Sequence, residues 1–132
     1  MTSEPSALQH LGDGQYVLVT TYRRNGTPVP TPVWVVRDGA ALGVWTPTKS
    51  GKIKRIRRNP VVTVAPCTFR GEALGDAVPG RAELLDQVGT GRVRRLLQAK
   101  YGLIARLTVL GSLMRRGRDG TIGVQITLTP QD

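Results

Sequence analysis

The chain has 132 residues, 39% of them hydrophobic and 5% aromatic, with a formal net charge of +10. That length suits one domain with a small core, spanning residues 1–132, and the charge calls for an anionic partner. The single cysteine, Cys67, excludes an internal disulfide, and with one histidine, His10, no metal site is expected.

No run approaches the ~20 apolar residues that cross a bilayer, and the N-terminus lacks the basic, apolar, small-residue order of a signal peptide. A cytoplasmic protein with no membrane partner is the expectation. The basic residues are localised: 14 of the 19 fall in residues 49–58 and 92–118, and neither stretch contains an acid.

Tyr16–Tyr22 is β-branched and aromatic, as a strand requires, and Asn25-Gly26 after it is a strong hairpin signal. Residues 29–36 supply the partner strand. Pro28, Pro30 and Pro32 cannot donate to a ladder, so its first half belongs at an edge or bulge. Asp38-Gly39 turns the chain into a strand at 42–46, and the three strands together predict an antiparallel meander.

Ser50 is an N-cap candidate, Ile53 and Ile56 form an apolar edge, and Asn59-Pro60 ends a short basic helix. Strands follow at Val61–Pro66 and, after a glycine-rich passage at 71–80, at 81–85. From 88 to 114 the apolar residues recur at helical spacing, with Gly102 marking a break into two helices or a kink in one. Thr121–Leu128 alternates as a last strand. Six or so hairpin-linked strands with inserted helices predict a closed or nearly closed α+β barrel.

The junction of strand and helix at residues 45–52 is an anion site by construction. The amides of a helix's first turn lack intrahelical partners and carry partial positive charge, to which Lys52 adds a full one beside Thr46 and Ser50. No nucleophile elbow, HExxH, Walker loop or paired carboxylate accompanies it. No catalytic side chain is therefore assigned, and redox chemistry would come from a cofactor. Nucleic-acid binding is disfavoured, because the chain has six aromatics and residues 49–58 contain none.

In order, the chain carries Thr31-Pro32-Val33-Trp34-Val35-Val36, Asp38-Gly39, Trp45-Thr46, Ser50-Gly51-Lys52 and Arg58-Asn59-Pro60-Val61-Val62-Thr63-Val64. Over residues 10–128 this order and spacing resembles the split β-barrel flavin and deazaflavin oxidoreductases, which are pyridoxamine 5'-phosphate oxidase-like. Within them it is similar to the PPOX-class, coenzyme F420-dependent enzymes of actinobacteria. Ala99-Lys100-Tyr101-Gly102, before an apolar and basic helix, resembles one subgroup of that branch.

The resemblance implies an α+β split β-barrel of antiparallel strands, with a short basic helix and a longer C-terminal helical region. It implies a homodimer with coenzyme F420 in the cleft between subunits and hydride transfer to an electron-poor organic acceptor. Pro32, Val33 and Trp34 would run beside the ring, with Trp45 as a second wall. Thr46, Ser50, Gly51 and Lys52 would meet the phosphate, with Lys49 and Arg55 flanking, and Pro66 and Cys67 would approach the ring's other edge.

The flavin-binding oxidases carry an arginine where this chain has Gly51, which makes FMN the alternative rather than the first cofactor. Lys49, Lys54, Arg55, Arg57 and Arg58, or the cluster Arg92 to Arg95 across a dimer, would pair with the acidic tail of F420. A tetrapyrrole binder and a non-enzymatic F420 carrier are further alternatives. On plain structural grounds Cys67 is a small buried hydrophobe, Lys100 and Tyr101 anchor a helix break, and Trp34 and Trp45 are wall or core residues.

Overall fold

The computed structural model describes residues 6–130, so the segment inspected for a leader lies almost wholly outside it. Seven antiparallel strands form one curled sheet: β1 (Tyr16–Tyr22), β2 (Pro28–Trp34), β3 (Val36–Asp38), β4 (Ala41–Pro47), β5 (Val61–Pro66), β6 (Val78–Leu84) and β7 (Thr121–Leu128). The order across the sheet is β2-β1-β5-β6-β7-β4-β3, and curling brings β2 back beside β4. Helices α1 (Ala7–Asp13), α2 (Gly51–Arg58), α3 (Gln87–Tyr101) and α4 (Leu103–Arg116) complete an α+β split barrel.

The expected meander is corrected. β1 pairs with β2 and β3 with β4, but the stretch 29–36 breaks at Val35, so β2 and β3 end at opposite edges of the sheet. The prolines give the reason for β2. Pro28, Pro30 and Pro32 lie opposite Tyr22, Thr20 and Leu18, and a ladder tolerates three residues without N–H only if those positions face away from the partner. β2 is thus an edge strand, as its prolines predict.

Two further differences concern the ends of elements. α1 was not expected; Ser6 caps it by accepting the Gln9 N–H at 3.1 Å, and it seats Leu11 in the core while His10 stays exposed. A helix of 7 residues is too short to announce itself by periodicity. β6 begins at Val78, earlier than the glycine-rich passage suggests, because Pro79 needs only its carbonyl, which accepts the Thr129 N–H at 2.8 Å.

The concave face of the sheet holds the main core, where Val17, Val19, Leu42, Val44, Val62, Val64, Val124 and Ile126 meet Leu11 of α1 and Ile53 and Ile56 of α2. α3 covers part of the convex face through Val93 and Leu97, packed against Val36, Trp34 and Trp45. It approaches closely because residue 123 is glycine: a Cβ there would sit 3.2 Å from the Thr90 Cα. The Thr90 hydroxyl accepts the Gly123 N–H at 2.9 Å in that gap. Gly102, with φ of 69°, separates α3 from α4, so the break predicted there is a joint between two helices.

Candidate functional site

A groove of about 400 Å3 lies at the seam where β2 returns beside β4. Thr31, Pro32, Val33 and Trp34 form one wall, and Trp45, Thr46 and Pro47 the other. Lys52 enters from α2, Leu97 from α3 and Thr108 from α4, with Tyr16 of β1 beside the first wall. Six residues singled out from sequence (Pro32, Val33, Trp34, Trp45, Thr46 and Lys52) therefore converge on one cavity.

Lys52 dominates the electrostatics. It is 6% exposed, and its ammonium donates to one protein group, the Thr46 hydroxyl at 3.2 Å. Burial, and secondarily the positive charge of Arg55, pull its pKa from 10.5 down to about 8. An ammonium carries three donors, so this one is under-partnered in a place where water is largely excluded. The Trp45 indole N–H is buried without a partner, and so is the Ser50 hydroxyl.

Ser50 occupies the N-cap position of α2 but makes no side-chain capping bond, which corrects its expected local role; its hydroxyl is buried without a partner, and Ser50 does not line the groove. Gly51 opens the helix, and a Cβ there would lie 2.9 Å from Arg55 Nη1. The Arg55 guanidinium thus fills the space that a side chain at 51 would use, while its Nε donates to the Thr21 hydroxyl at 2.7 Å. Burial, then the like charges of Arg23 and Arg58, lower the Arg55 pKa, so three arginines crowd the end of β1. Lys49 is exposed on the turn before α2.

Pro66 and Cys67 do not line the groove. Pro66 pairs with Val17, and the Cys67 N–H reaches the Tyr16 carbonyl at 3.4 Å, which places both on the far side of β1 from β2. Cys67 is 5% exposed and burial raises its thiol pKa, the condition of an inert packed cysteine. Arg92 is also committed elsewhere, through a two-pronged pair with Asp38 at 2.9 Å for each bond.

Sequence reasoning missed the support of the Trp34 wall. The Tyr101 ring stacks on Trp34 at 4.8 Å and 12°. Its hydroxyl faces the Gln15 and Val35 carbonyls at 2.7 Å each and accepts the Val35 N–H at 3.2 Å. Lys100 beside it donates to the carbonyls of Gly12, Gly14 and Val35 at 2.6–2.8 Å. These contacts span more than 60 residues of sequence, beyond any local signal; only the motif Lys100-Tyr101-Gly102 hinted at them.

A second groove, of about 440 Å3, opens at the start of α3; of the residues singled out from sequence it contains only Arg94, from the cluster Arg92 to Arg95. Its polar groups largely satisfy one another: Gln87 donates to Asp119 at 2.9 Å, and Asp86 caps the helix by accepting the Gly89 N–H. It offers no comparable buried charge.

Among solved structures, a conserved hypothetical protein of Mycobacterium tuberculosis matches with a TM-score of 0.73 at 19% identity, covering 98% of this chain and 82% of that one. The haem storage protein HutZ of Vibrio cholerae matches with 0.69 at 12% identity, over 99% and 93% of the two chains. An F420 reductase matches with 0.61 at 17% identity, over 96% and 97%. At these identities the likeness speaks for the fold alone. Among curated proteins, none matches the sequence. Residues 5–122, most of the chain and nearly all of the split barrel with its seam groove, match the pyridoxamine 5'-phosphate oxidase family, and the chain belongs to that family.

Proposed function

We propose that the seam groove binds coenzyme F420 and that the protein is an oxidoreductase passing a hydride between the reduced deazaflavin and an electron-poor organic acceptor. The observation that carries this reading is the buried, under-partnered Lys52 ammonium at one end of a groove walled by two tryptophans. A phosphate placed there takes the free donors of Lys52, which enters the groove from the first turn of α2; Ser50, one residue before that helix, does not line the groove, and its hydroxyl is buried.

The residues present fit such a cofactor. Trp34, backed by its stack on Tyr101, and Trp45 offer apolar surface along the groove to a fused ring. The bound deazaflavin supplies the two-electron hydride chemistry that the side chains lack. The groove orients the acceptor, and its own proton-bearing groups are the hydroxyls of Tyr16, Thr31 and Thr46 and the Lys52 ammonium, the Thr108 hydroxyl being spent on the Ile104 carbonyl. The arginines at 55 and 58, with Lys49, Lys54 and Arg57, form a basic apron for an acidic tail; Arg92, held by Asp38, is not part of it. A second subunit would close the groove's open side, as the homodimer reading requires.

Gly51 favours F420 over FMN, because an arginine at that position would have to displace the Arg55 guanidinium from Thr21. A tetrapyrrole gains no support from His10, which lies exposed on α1 and outside the groove. Titration with F420 and FMN, followed by quenching of the groove tryptophans, tests the proposal. F420 is expected to bind at least about tenfold more tightly, and Lys52→Ala to weaken it by about tenfold or more, as loss of a charge-assisted bond would. Equal affinity for FMN would remove the choice of cofactor. Unchanged affinity in Lys52→Ala would remove the phosphate site.

A further inference from the structure

α4 presents an apolar face that nothing else in the described chain covers. Its small residues turn inward, with Ala105, Val109 and Ser112 buried. Leu103, Ile104, Leu107, Leu110 and Met114 instead stand 55–80% exposed. At 100° per residue, positions 103, 107, 110 and 114 fall on one stripe along the helix, with Ile104 at its side. The other large exposed apolar residues are Val61, Phe69, Leu74 and Val88, none of them on α4. A contiguous face of this kind marks an interaction surface.

The borders of the stripe identify its occupant. Arg106 lies along one flank and Arg115 along the other, while Arg116 falls on the inward side, where it donates to the Ser112 hydroxyl at 3.4 Å, and residues 92–118 contain no acid. All three arginines are exposed. The Thr108 hydroxyl is returned to its own helix by donating to the Ile104 carbonyl at 2.8 Å, which leaves the face with few polar demands. We propose that α4 docks flat on a bilayer surface bearing anionic lipid headgroups, with the leucines in the acyl boundary and the flanking arginines at the phosphates.

The geometry supports lying on a membrane rather than crossing it. With 14 residues α4 is roughly 21 Å long, short of the ~30 Å hydrocarbon core, and no helix among the described residues is long and apolar enough to span. The same helix of a second copy fits this face poorly. A symmetric pair of α4 helices would set arginine borders against arginine borders with no acid in the segment to relieve them. The inference departs from the sequence expectation of no membrane partner, because periodicity finds the apolar positions without showing which of them face outward. It does not depend on the identity of the cofactor.

Flotation of the full chain with vesicles of phosphatidylcholine alone, and of phosphatidylcholine mixed with phosphatidylglycerol, tests the proposal at low and high salt. The expected result is binding to the mixed vesicles, several-fold weaker at high salt. The double variant Leu107→Gln/Leu110→Gln should lower partitioning by about tenfold or more, given the apolar area removed, at unchanged melting temperature. Failure to bind the mixed vesicles, or equal binding to both kinds, would overturn it. So would dissociation of a dimer into monomers by the double variant, since the face would then be a contact between chains.

Discussion

Lys52 and Lys100 make an instructive pair, because burial lowers the pKa of both but their surroundings differ in kind. The Lys100 ammonium is enclosed by three backbone carbonyls, all at 2.8 Å or less. That of Lys52 has the Thr46 hydroxyl alone at 3.2 Å. Three carbonyls satisfy three donors, so Lys100 ties the end of α1, the turn after it and the break at Val35 to the end of α3. Lys52 retains donors that the protein does not use, which supports its proposed role as an anion site. The difference separates a structural lysine from a binding one more reliably than the pKa shift they share.

Replacing Lys100 should have the largest effect on stability. Lys100→Met leaves the Gly12, Gly14 and Val35 carbonyls without their donor, a loss of about 3 kcal/mol, or roughly 10 °C in melting temperature by calorimetry. Tyr101→Phe should follow at about 1 kcal/mol, since it removes the hydroxyl but keeps the ring stacked on Trp34. Its tryptophan emission should change little; a large shift would mean that the hydroxyl, and not the stack, orients Trp34.

A smaller effect concerns pH. Lys52 has a folded pKa of about 8 against 10.5 unfolded, so between these values the unfolded chain holds more protons and stability rises with pH. Chemical unfolding from pH 8 to 10 should show a steeper rise in the native chain than in Lys52→Met, where the lowered pKa of Lys100 still contributes. Binding should run the other way. An anion needs the charged lysine, so affinity for F420 should be full below about 8 and decline above it. Affinity that stays flat through this range would place the anion elsewhere.

Much of this was legible because local rules agreed with the fold. Pro28, Pro30 and Pro32 have one ladder-compatible arrangement, and the structure puts them on an edge strand. Thr46 and Lys52 are brought together by a strand, a tight turn and a helix start, all short-range features, and they meet as expected. The rest depends on long-range packing. The break at Val35 that sends β3 to the opposite edge is held by Lys100 and Tyr101, some 65 residues away in sequence, and the local pattern instead favoured one continuous strand. The resemblance implies that Pro66 and Cys67 approach the ring's other edge, whereas pairing with β1 sets both on the side of that strand away from β2 and outside the groove. Ser50 has the sequence of a cap but leaves its hydroxyl unpartnered, a detail fixed by side-chain geometry.

The central claim, that Lys52 is held buried for an anionic cofactor and not for the fold, is tested most directly by thermal melts of the native chain and Lys52→Met, each with and without F420. Removing an under-paired buried charge relieves a desolvation cost, so Lys52→Met without cofactor should melt at or above the native temperature. F420 should raise the melting point of the native protein and leave that of the variant almost unmoved. A variant that is destabilised as Lys100→Met is expected to be, yet is stabilised by F420 as fully as the native chain, would contradict the account.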